Sequence, residues 1–207
     1  MITILTIERE FGCGGAEIAQ LLATRLGWRL WDEELTEEIA RLAECPKEVV
    51  RVREERTDPL YSRLFKSFLR GSYEGSLNAH RLKPLDSESI MKFTEQVVQK
   101  VSTAGRAVVV GRGSQHFLRN RQDTCRVFLY APREAKLARL LAGGTSREDA
   151  EDLVDTVDRE RTDFIRTYFH DDWPDRAIYH AMLNTAVGEE TVAQVILDLV
   201  RDLDQAT

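Results

Sequence analysis

The sequence predicts a three-layer α/β protein in which a parallel β-sheet lies between layers of helices. Apolar runs typical of buried strands alternate with segments whose apolar residues recur at helical spacing. This alternation is typical of parallel sheets with right-handed crossovers. With 207 residues the chain is long enough for one sizeable core, so we predict a single domain over 1–207. The polar residues of interest follow the strands, where ligands of such sheets bind: Arg9, Asp32, Arg112 and Asn184.

The first predicted unit is a buried strand followed by a glycine-rich loop and a helix. Residues 2–7 form an almost unbroken apolar run, and Gly12, Gly14 and Gly15 come after it. Backbone N–H groups of such a loop can converge on an anion, with the positive end of the helix dipole behind them. A tight turn without a ligand is the alternative. The usual G-x-x-x-x-G-K-[ST] pattern is not met, because Gly15 and Ala16 stand where its lysine and its hydroxyl would be.

The alternation continues along the rest of the chain. Further strands are predicted at 28–31, 107–110, 127–130 and 181–183, and further helices at 33–43, 87–104, 134–142, 146–170 and 191–203. The helix over 146–170 opens with a capping box formed by Ser146 and Asp149. The intervening segment from Pro46 to Pro84 is polar and charged, with short apolar patches, and we interpret it as a lobe of helical pieces joined by loops.

Composition limits the classes of function. The 35 acidic and 29 basic residues give a net charge of −6, which argues against a broad nucleic-acid-binding surface. The three cysteines are far apart and the four histidines lack metal-ligand spacing, so we predict reduced thiols and no metal bound by protein ligands. We expect no signal peptide before the first strand, and no apolar run of the sequence approaches the ~20 residues that span a bilayer. We therefore expect a cytoplasmic protein.

Three polar residues outside the glycine loop are candidates for ligand binding or catalysis. Arg112 lies between two glycines at a strand end, which favours either phosphate binding by its planar guanidinium or an ordinary turn. Arg161 lies on the apolar stripe of the 146–170 helix, where a charge needs a partner. That partner is either Asp158 one turn earlier or a bound phosphate, and the neighbouring Arg159 adds positive charge. Asp32 either orients a sugar or base, or caps the helix that follows it.

Five segments together resemble the cytidylate kinase-like family, a branch of the P-loop nucleoside monophosphate kinases. They are T-I-E-R-E-F-G-C-G-G-A-E-I-A, W-D-E-E-L, V-V-V-G-R-G-S-Q-H-F-L, D-R-E-R-T-D-F-I-R-T-Y-F-H-D-D-W and Y-H-A-M-L-N-T. The glycine loop of this family also lacks the usual lysine. The resemblance implies a P-loop NTPase-type core at 1–45, 86–144 and 173–207. It also implies a monophosphate-binding lobe at 46–85 and a lid at 145–172.

The same resemblance implies Mg²⁺-dependent transfer of the γ-phosphoryl group of ATP to a nucleoside monophosphate, CMP or dCMP. It assigns each candidate residue a role by position. ATP phosphate binding falls to Arg9, Gly12, Gly14 and Gly15, acceptor binding to Asp32 and Arg112, and catalysis from the lid to Arg159 and Arg161.

Three departures from the family pattern leave the activity open. Ala16 stands where family members usually have arginine, His180 where they have aspartate, and Gly113 where proper cytidylate kinases have aspartate. The alternative to a kinase is therefore a catalytically silent nucleotide-binding or regulatory protein on the kinase fold. The expected partners are nucleotides, not nucleic acid or membrane, and the sequence leaves a homo-oligomer open.

Overall fold

A computed structural model describes residues 1–42 and 87–205. Its strands are β1 (Ile4–Arg9), β2 (Arg29–Trp31), β3 (Ala107–Val110), β4 (Thr124–Tyr130) and β5 (Ala181–Asn184). Its α-helices are α1 (Gly15–Leu26), α2 (Glu33–Leu42), α3 (Ser87–Ala104), α4 (Ser114–Phe117), α5 (Arg133–Ala142), α6 (Arg147–Phe169) and α7 (Glu189–Gln205). The predicted lobe at 46–85 lies outside the described residues.

The five strands form one parallel sheet in the order β2-β3-β1-β4-β5. Strand β1 lies at the centre, where Ile4 pairs with Ala107 of β3 on one side and with Thr124 of β4 on the other. All carboxyl ends of the strands therefore lie at one edge of the sheet. The predicted parallel α/β fold class is confirmed.

Strand β1 lies two residues further along the chain than its apolar run. The run covers 2–7, but the strand continues through Glu8 and Arg9, because these residues pair with Phe128 and Leu129 of the long strand β4. Both side chains are buried, at 4% exposure. Two charged residues thus belong to the central strand, at the edge of the sheet where ligands bind.

Apolar helix faces cover the sheet on both sides. On one side α1 and α7 pack against β1 and β4, through residues that include Ile18, Leu22, Val192 and Ile196. On the other side α2, α3 and α6 pack against β1 and β3, through residues that include Leu35, Ile39, Val97 and Ile165. Full burial of each such side chain contributes about 1.5–3 kcal/mol. In the described part of the chain, no helix is both long and apolar enough to cross a membrane.

Helix α6 packs against the glycine loop and α5. One half of the predicted capping box is confirmed, because the Ser146 hydroxyl accepts a hydrogen bond from the Asp149 N–H at 3.1 Å. The Asp149 carboxylate accepts from the Ser146 hydroxyl at 2.6 Å. Val154 and Val157 of α6 pack in one cluster with Phe11 of the glycine loop and Leu140 of α5. The position of α6 is thus fixed by contacts with the loop that it adjoins.

Candidate functional site

The glycine loop connects β1 to α1 and lines a cavity, which we call the loop cavity. Its lining consists of residues 9–17 together with Arg161. Gly14 caps α1 in the left-handed conformation, with φ 79°, and no side chain caps the helix. The first N–H groups of a helix have no partner within it, so these groups can bind an anion. The residues predicted to bind ATP phosphates therefore share one cavity.

Contacts from other elements hold the loop in place. The Glu10 N–H donates to the Leu129 carbonyl at 2.9 Å, and the Thr185 hydroxyl donates to the Cys13 carbonyl at 2.6 Å. Burial raises the pKa of the Cys13 thiol to about 11. The thiol therefore stays neutral near pH 7, and it adds no negative charge that would repel a phosphate.

Two cations approach the loop from α5 and are already paired. Lys136 Nζ lies 2.6 Å from a Glu10 carboxylate oxygen and 3.1 Å from one of Asp158. The Arg139 guanidinium lies so close to Gly14 that a β-carbon placed there would be 2.5 Å from its Cζ atom. Arg139 also donates to Glu189 at 2.5 Å. Charge thus reaches the loop from another helix, but carboxylates balance it.

A second cavity lies at the carboxyl ends of β1 and β3, beside α6. Its lining residues are Glu8, Arg9, Arg112, Gly113, Arg161, Phe164, Ile165 and Trp173. We call it the arginine cavity, because three guanidinium groups and one carboxylate line it. Arg9, Arg112 and Arg161 are each at most 9% exposed. Such a concentration of buried positive charge is suited to an anionic ligand.

Arg9 lines both cavities, and its side chain passes between two glycines. A β-carbon on Gly15 would lie 2.9 Å from Arg9 Cγ, and one on Gly111 would lie 2.1 Å from Arg9 Nη1. Nη1 is 3.6 Å from the Glu8 carboxylate. The Nε and Nη2 atoms are buried without a hydrogen-bond partner within the described structure. Arg9 thus has donors left for a ligand.

Arg112 occupies the sharp turn that its flanking glycines predict. Gly111, Arg112 and Gly113 all have positive φ values, of 64°, 60° and 66°. Arg112 Nη2 donates to the Thr36 hydroxyl at 2.7 Å. Burial lowers the pKa of Arg112 to about 10, while the nearby Asp32 carboxylate acts in the opposite direction. Arg112 and Asp32, both predicted to bind the acceptor, therefore lie close enough to interact.

At Gly113 the backbone is approached closely by the side chain of Phe169. A β-carbon at this position would lie 2.6 Å from the ring of Phe169. The same ring stacks on His116 of α4, with centroids 4.4 Å apart. The glycine at 113 therefore lets the end of α6 pack against the turn that carries Arg112.

Arg161 forms the ion pair that the sequence offered as one interpretation, and it also lines both cavities. Its Nη1 atom donates to the Arg9 carbonyl at 2.8 Å and lies 3.2 Å from Asp158 Oδ1. Asp158 Oδ1 also accepts from the Phe11 N–H at 2.8 Å, and its Oδ2 accepts from Lys136. The ion pair with Asp158 and a position beside a bound phosphate are thus compatible with each other. The catalytic role of Arg161 stays a prediction.

The remaining predicted residues differ in their placement. Asp32 follows β2 and is buried, at 8% exposure. Arg159 is exposed on α6 and lines neither cavity. Its predicted role stays a prediction, with no contact to either cavity in this structure to support it.

Sequence reasoning did not single out two residues of the arginine cavity. The Glu8 carboxylate accepts from the Gln115 side chain at 3.0 Å and contacts Arg9. A signal existed for Glu8, since an acid that continues an apolar strand needs a buried partner. For Trp173 no local sequence pattern marks it as a cavity residue.

No group of three or more histidine, cysteine, aspartate or glutamate side chains in the described residues could hold a metal ion. Mg²⁺ in kinases is usually bound by one or two carboxylates together with substrate phosphates. A site of that kind does not require a preformed cluster.

The glycine loop after the central strand, the strand order and the arginines beside α6 are together typical of the P-loop kinase fold. The chain belongs to the cytidylate kinase-like family, whose model matches residues 4–187. No curated protein matches the chain.

Several solved structures share the fold over nearly the whole chain. An uncharacterized protein from Eubacterium ventriosum is 19% identical with a TM-score of 0.68, and the match covers 98% of this chain and 99% of that one. Shikimate kinase from Acinetobacter baumannii, solved with shikimate, is 18% identical with a TM-score of 0.53 and coverages of 98% and 94%. The tunicamycin resistance protein of Deinococcus radiodurans is 18% identical with a TM-score of 0.52 and coverages of 97% and 96%. At these identities the likeness is one of fold.

Proposed function

We propose that this protein transfers the γ-phosphoryl group of ATP to a nucleoside monophosphate, with CMP or dCMP as the acceptor. The observation that carries the proposal is that Arg9 and Arg161 line both the loop cavity and the arginine cavity. A phosphoryl group passing from one cavity to the other would have these two cations beside it. Phosphoryl transfer depends mainly on positioning and on stabilisation of charge, which is the task of such cations.

In this proposal each cavity holds one substrate. The amides of the glycine loop and the N-terminal end of α1 bind the ATP phosphates, and Arg9, which lines the same cavity, adds positive charge. Arg112 binds the phosphate of the acceptor, with Asp32 beside it. Arg161 stabilises the transferring group from α6, where its bond to the Arg9 carbonyl fixes its direction. The choice of CMP or dCMP rests on the family alone.

The residues of the loop cavity fit Mg²⁺-ATP if a carboxylate takes the place of the hydroxyl that usually binds the metal. Ala16 cannot supply the hydroxyl that usually binds the metal. Of the two carboxylates that line the loop cavity, Glu10 is paired with Lys136 and Glu17 is exposed. Glu17 would therefore hold the metal, together with phosphate oxygens. When bound, Mg²⁺ supplies neutralisation and orientation of the phosphate oxygens.

The pairing of the loop cations supports a second candidate function, a nucleotide-binding protein without turnover. Lys136 and Arg139 both form ion pairs with carboxylates, and Ala16 adds no charge. Since one well-placed arginine can contribute about 10³–10⁵ in rate, the loss of free cations from the loop could abolish turnover while the amides still bind nucleotide.

One experiment separates the two candidates. ADP release from Mg²⁺-ATP is measured with CMP, dCMP, UMP, AMP and GMP, and ATP binding is measured in parallel by calorimetry. The kinase proposal expects acceptor-dependent ADP release that is highest with CMP or dCMP. ATP binding without acceptor-dependent turnover would reject the kinase and support the silent binding protein. Turnover that is highest with another monophosphate would reject only the choice of CMP or dCMP.

A further inference from the structure

The arginine cavity contains buried donors that lack acceptors. Within the described residues, Arg9 Nε, Arg9 Nη2 and Trp173 Nε1 are buried atoms without a hydrogen-bond partner, and both residues line this cavity. Buried polar groups in native proteins are nearly always hydrogen-bonded, so unsatisfied donors in two residues that line one cavity call for an explanation. A bound ligand rich in acceptors is the explanation that satisfies both residues at once.

The charges of the cavity indicate the sign of that ligand. Three guanidinium groups line it against the single carboxylate of Glu8. Burial lowers the pKa of Arg112, and the neighbouring Arg9 and Arg161 lower it further. Burial also lowers the pKa of Arg161, with Arg9 again acting in the same direction. The arginines thus destabilise one another's charged forms, and an anion between them would remove that repulsion.

The origin of the donors indicates the shape of the ligand. Arg9 comes from β1, Arg112 from the turn after β3, Arg161 from α6, and Trp173 from the segment after α6. The Trp173 ring is held edge-to-face against Phe128, with centroids 5.4 Å apart. Donors that come from several elements suit an anion with acceptor oxygens pointing in several directions, as in a tetrahedral oxyanion. A phosphate group presents its oxygens in a tetrahedral array, whereas the two oxygens of a carboxylate and their lone pairs lie in one plane.

We infer that Trp173 is a further binding residue of the arginine cavity, and that its indole N–H donates to a tetrahedral oxyanion held there, which under the proposed function is the phosphate group of the acceptor. This inference deepens the proposed function and rests on it only for the identity of the natural acceptor. It assigns Trp173 a binding role in addition to its packing against Phe128. Arg9 lines both cavities, so under this inference it serves the acceptor phosphate as well as the ATP phosphates.

The test uses inorganic phosphate and sulfate as probes, titrated at constant ionic strength against chloride. Calorimetry on the wild type and on Trp173→Phe gives the affinities, since phenylalanine keeps a ring against Phe128 and lacks the N–H. Loss of a hydrogen bond to a charged group should weaken phosphate binding by about tenfold or more. Trp28→Phe is the matched control, because Trp28 lines neither cavity, and its affinity should stay within about twofold of the wild type.

A second measurement keeps the inference testable if Trp173→Phe fails to fold. The chain has three tryptophans, so ¹⁵N-labelled wild-type protein gives three indole N–H signals. Phosphate should shift one of them strongly, and Trp28→Phe and Trp31→Phe assign it to Trp173 by elimination. CMP should compete with phosphate for the cavity, whereas cytidine should not. ATP should leave phosphate bound, because its phosphates belong to the loop cavity.

Several outcomes would overturn the inference. Among them are no phosphate binding beyond that of chloride, equal phosphate affinity in the wild type and Trp173→Phe, and displacement of phosphate by ATP but not by CMP. These outcomes differ from a failure of the proposed function. Phosphate binding that depends on Trp173 in a protein without turnover would reject the kinase alone. Turnover of CMP in a protein whose indole N–H signals do not shift with phosphate would reject the present inference alone.

Discussion

Replacing Arg161 by methionine separates a catalytic role from a structural one. The change removes the bonds to the Arg9 carbonyl and to Asp158. Asp158 nevertheless keeps two partners, the Phe11 N–H and Lys136. The cost should therefore be near the lower end of the ~1.5–3 kcal/mol of a hydrogen bond to a charged group. It should stay below the ~3–5 kcal/mol that follows when a buried charge loses its only partner.

Relief of repulsion should offset part of that cost. Arg9 lowers the pKa of Arg161, and Arg161 in turn lowers that of Arg112, so removing one guanidinium favours the charged forms of the others. We expect the free energy of unfolding to fall by about 1–2 kcal/mol. Under the proposed function the rate of phosphoryl transfer should fall by about 10³-fold or more, which corresponds to about 4 kcal/mol in the activation barrier.

The assay pairs urea unfolding with single-turnover transfer at saturating Mg²⁺-ATP and CMP. Arg166→Met is the matched control, because Arg166 is an exposed arginine of the same helix, paired only with an exposed aspartate in the described structure. It should change stability by less than about 0.5 kcal/mol and leave the transfer rate unchanged. An Arg161→Met protein that loses more than ~3 kcal/mol of stability but transfers phosphate at the wild-type rate would show that Arg161 is structural.

Three further predictions concern single positions. Arg112→Ala should raise KM for the acceptor and leave ATP affinity nearly unchanged in calorimetry; equal loss of ATP binding would contradict its place on the acceptor side. Ala16→Arg should tighten Mg²⁺-ATP binding by about 1–2 kcal/mol at little cost in helix stability, and unchanged affinity in a folded variant would mean that the loop does not hold phosphates. Burial lowers the pKa of His116, so the unfolded state binds a proton more readily and the free energy of unfolding should fall as pH drops below about 6.5. Urea unfolding between pH 7.5 and 5 should show a weaker fall in His116→Gln, and an identical fall would assign the effect to other groups such as His180, whose pKa burial also lowers.

The elements with strong local patterns were predictable from the sequence. The strand Ala107–Val110 and the helix Ser87–Ala104 have the predicted bounds, because a β-branched run and a long apolar stripe define them without help from the rest of the fold. The short helix Ser114–Phe117 was not predicted, since four residues carry no detectable helical period. Its N-cap is Gly113, and the Phe169 ring occupies the space that a side chain at Gly113 would need. Phe169 is distant in the sequence, so this contact could not be predicted from the local pattern.

The site was predictable where residue type and position agreed, and not where partners come from distant segments. The glycines and Arg112 follow strands, so they had to lie at one edge of a parallel sheet. The bond from the Phe11 N–H to Asp158 joins residues 147 positions apart. Trp173 reaches the arginine cavity only because α6 places it there. Such contacts depend on the packing of the whole chain and leave no pattern in a single sequence.

The path of Arg9 constrains how this glycine loop can evolve. A lysine at position 15, where the common form of the loop has one, would bring its β-carbon to 2.9 Å from Arg9 Cγ. That atom lies close to the main chain and cannot swing aside as the end of a side chain can. Under the proposed function, Arg9 and a lysine at 15 are therefore alternative ways of bringing one cation to the phosphates. Gaining the lysine before Arg9 is lost produces a steric clash, and losing Arg9 first leaves a loop without either cation. Single substitutions therefore rarely convert one form of the loop into the other, and this epistasis tends to preserve the form that was acquired first.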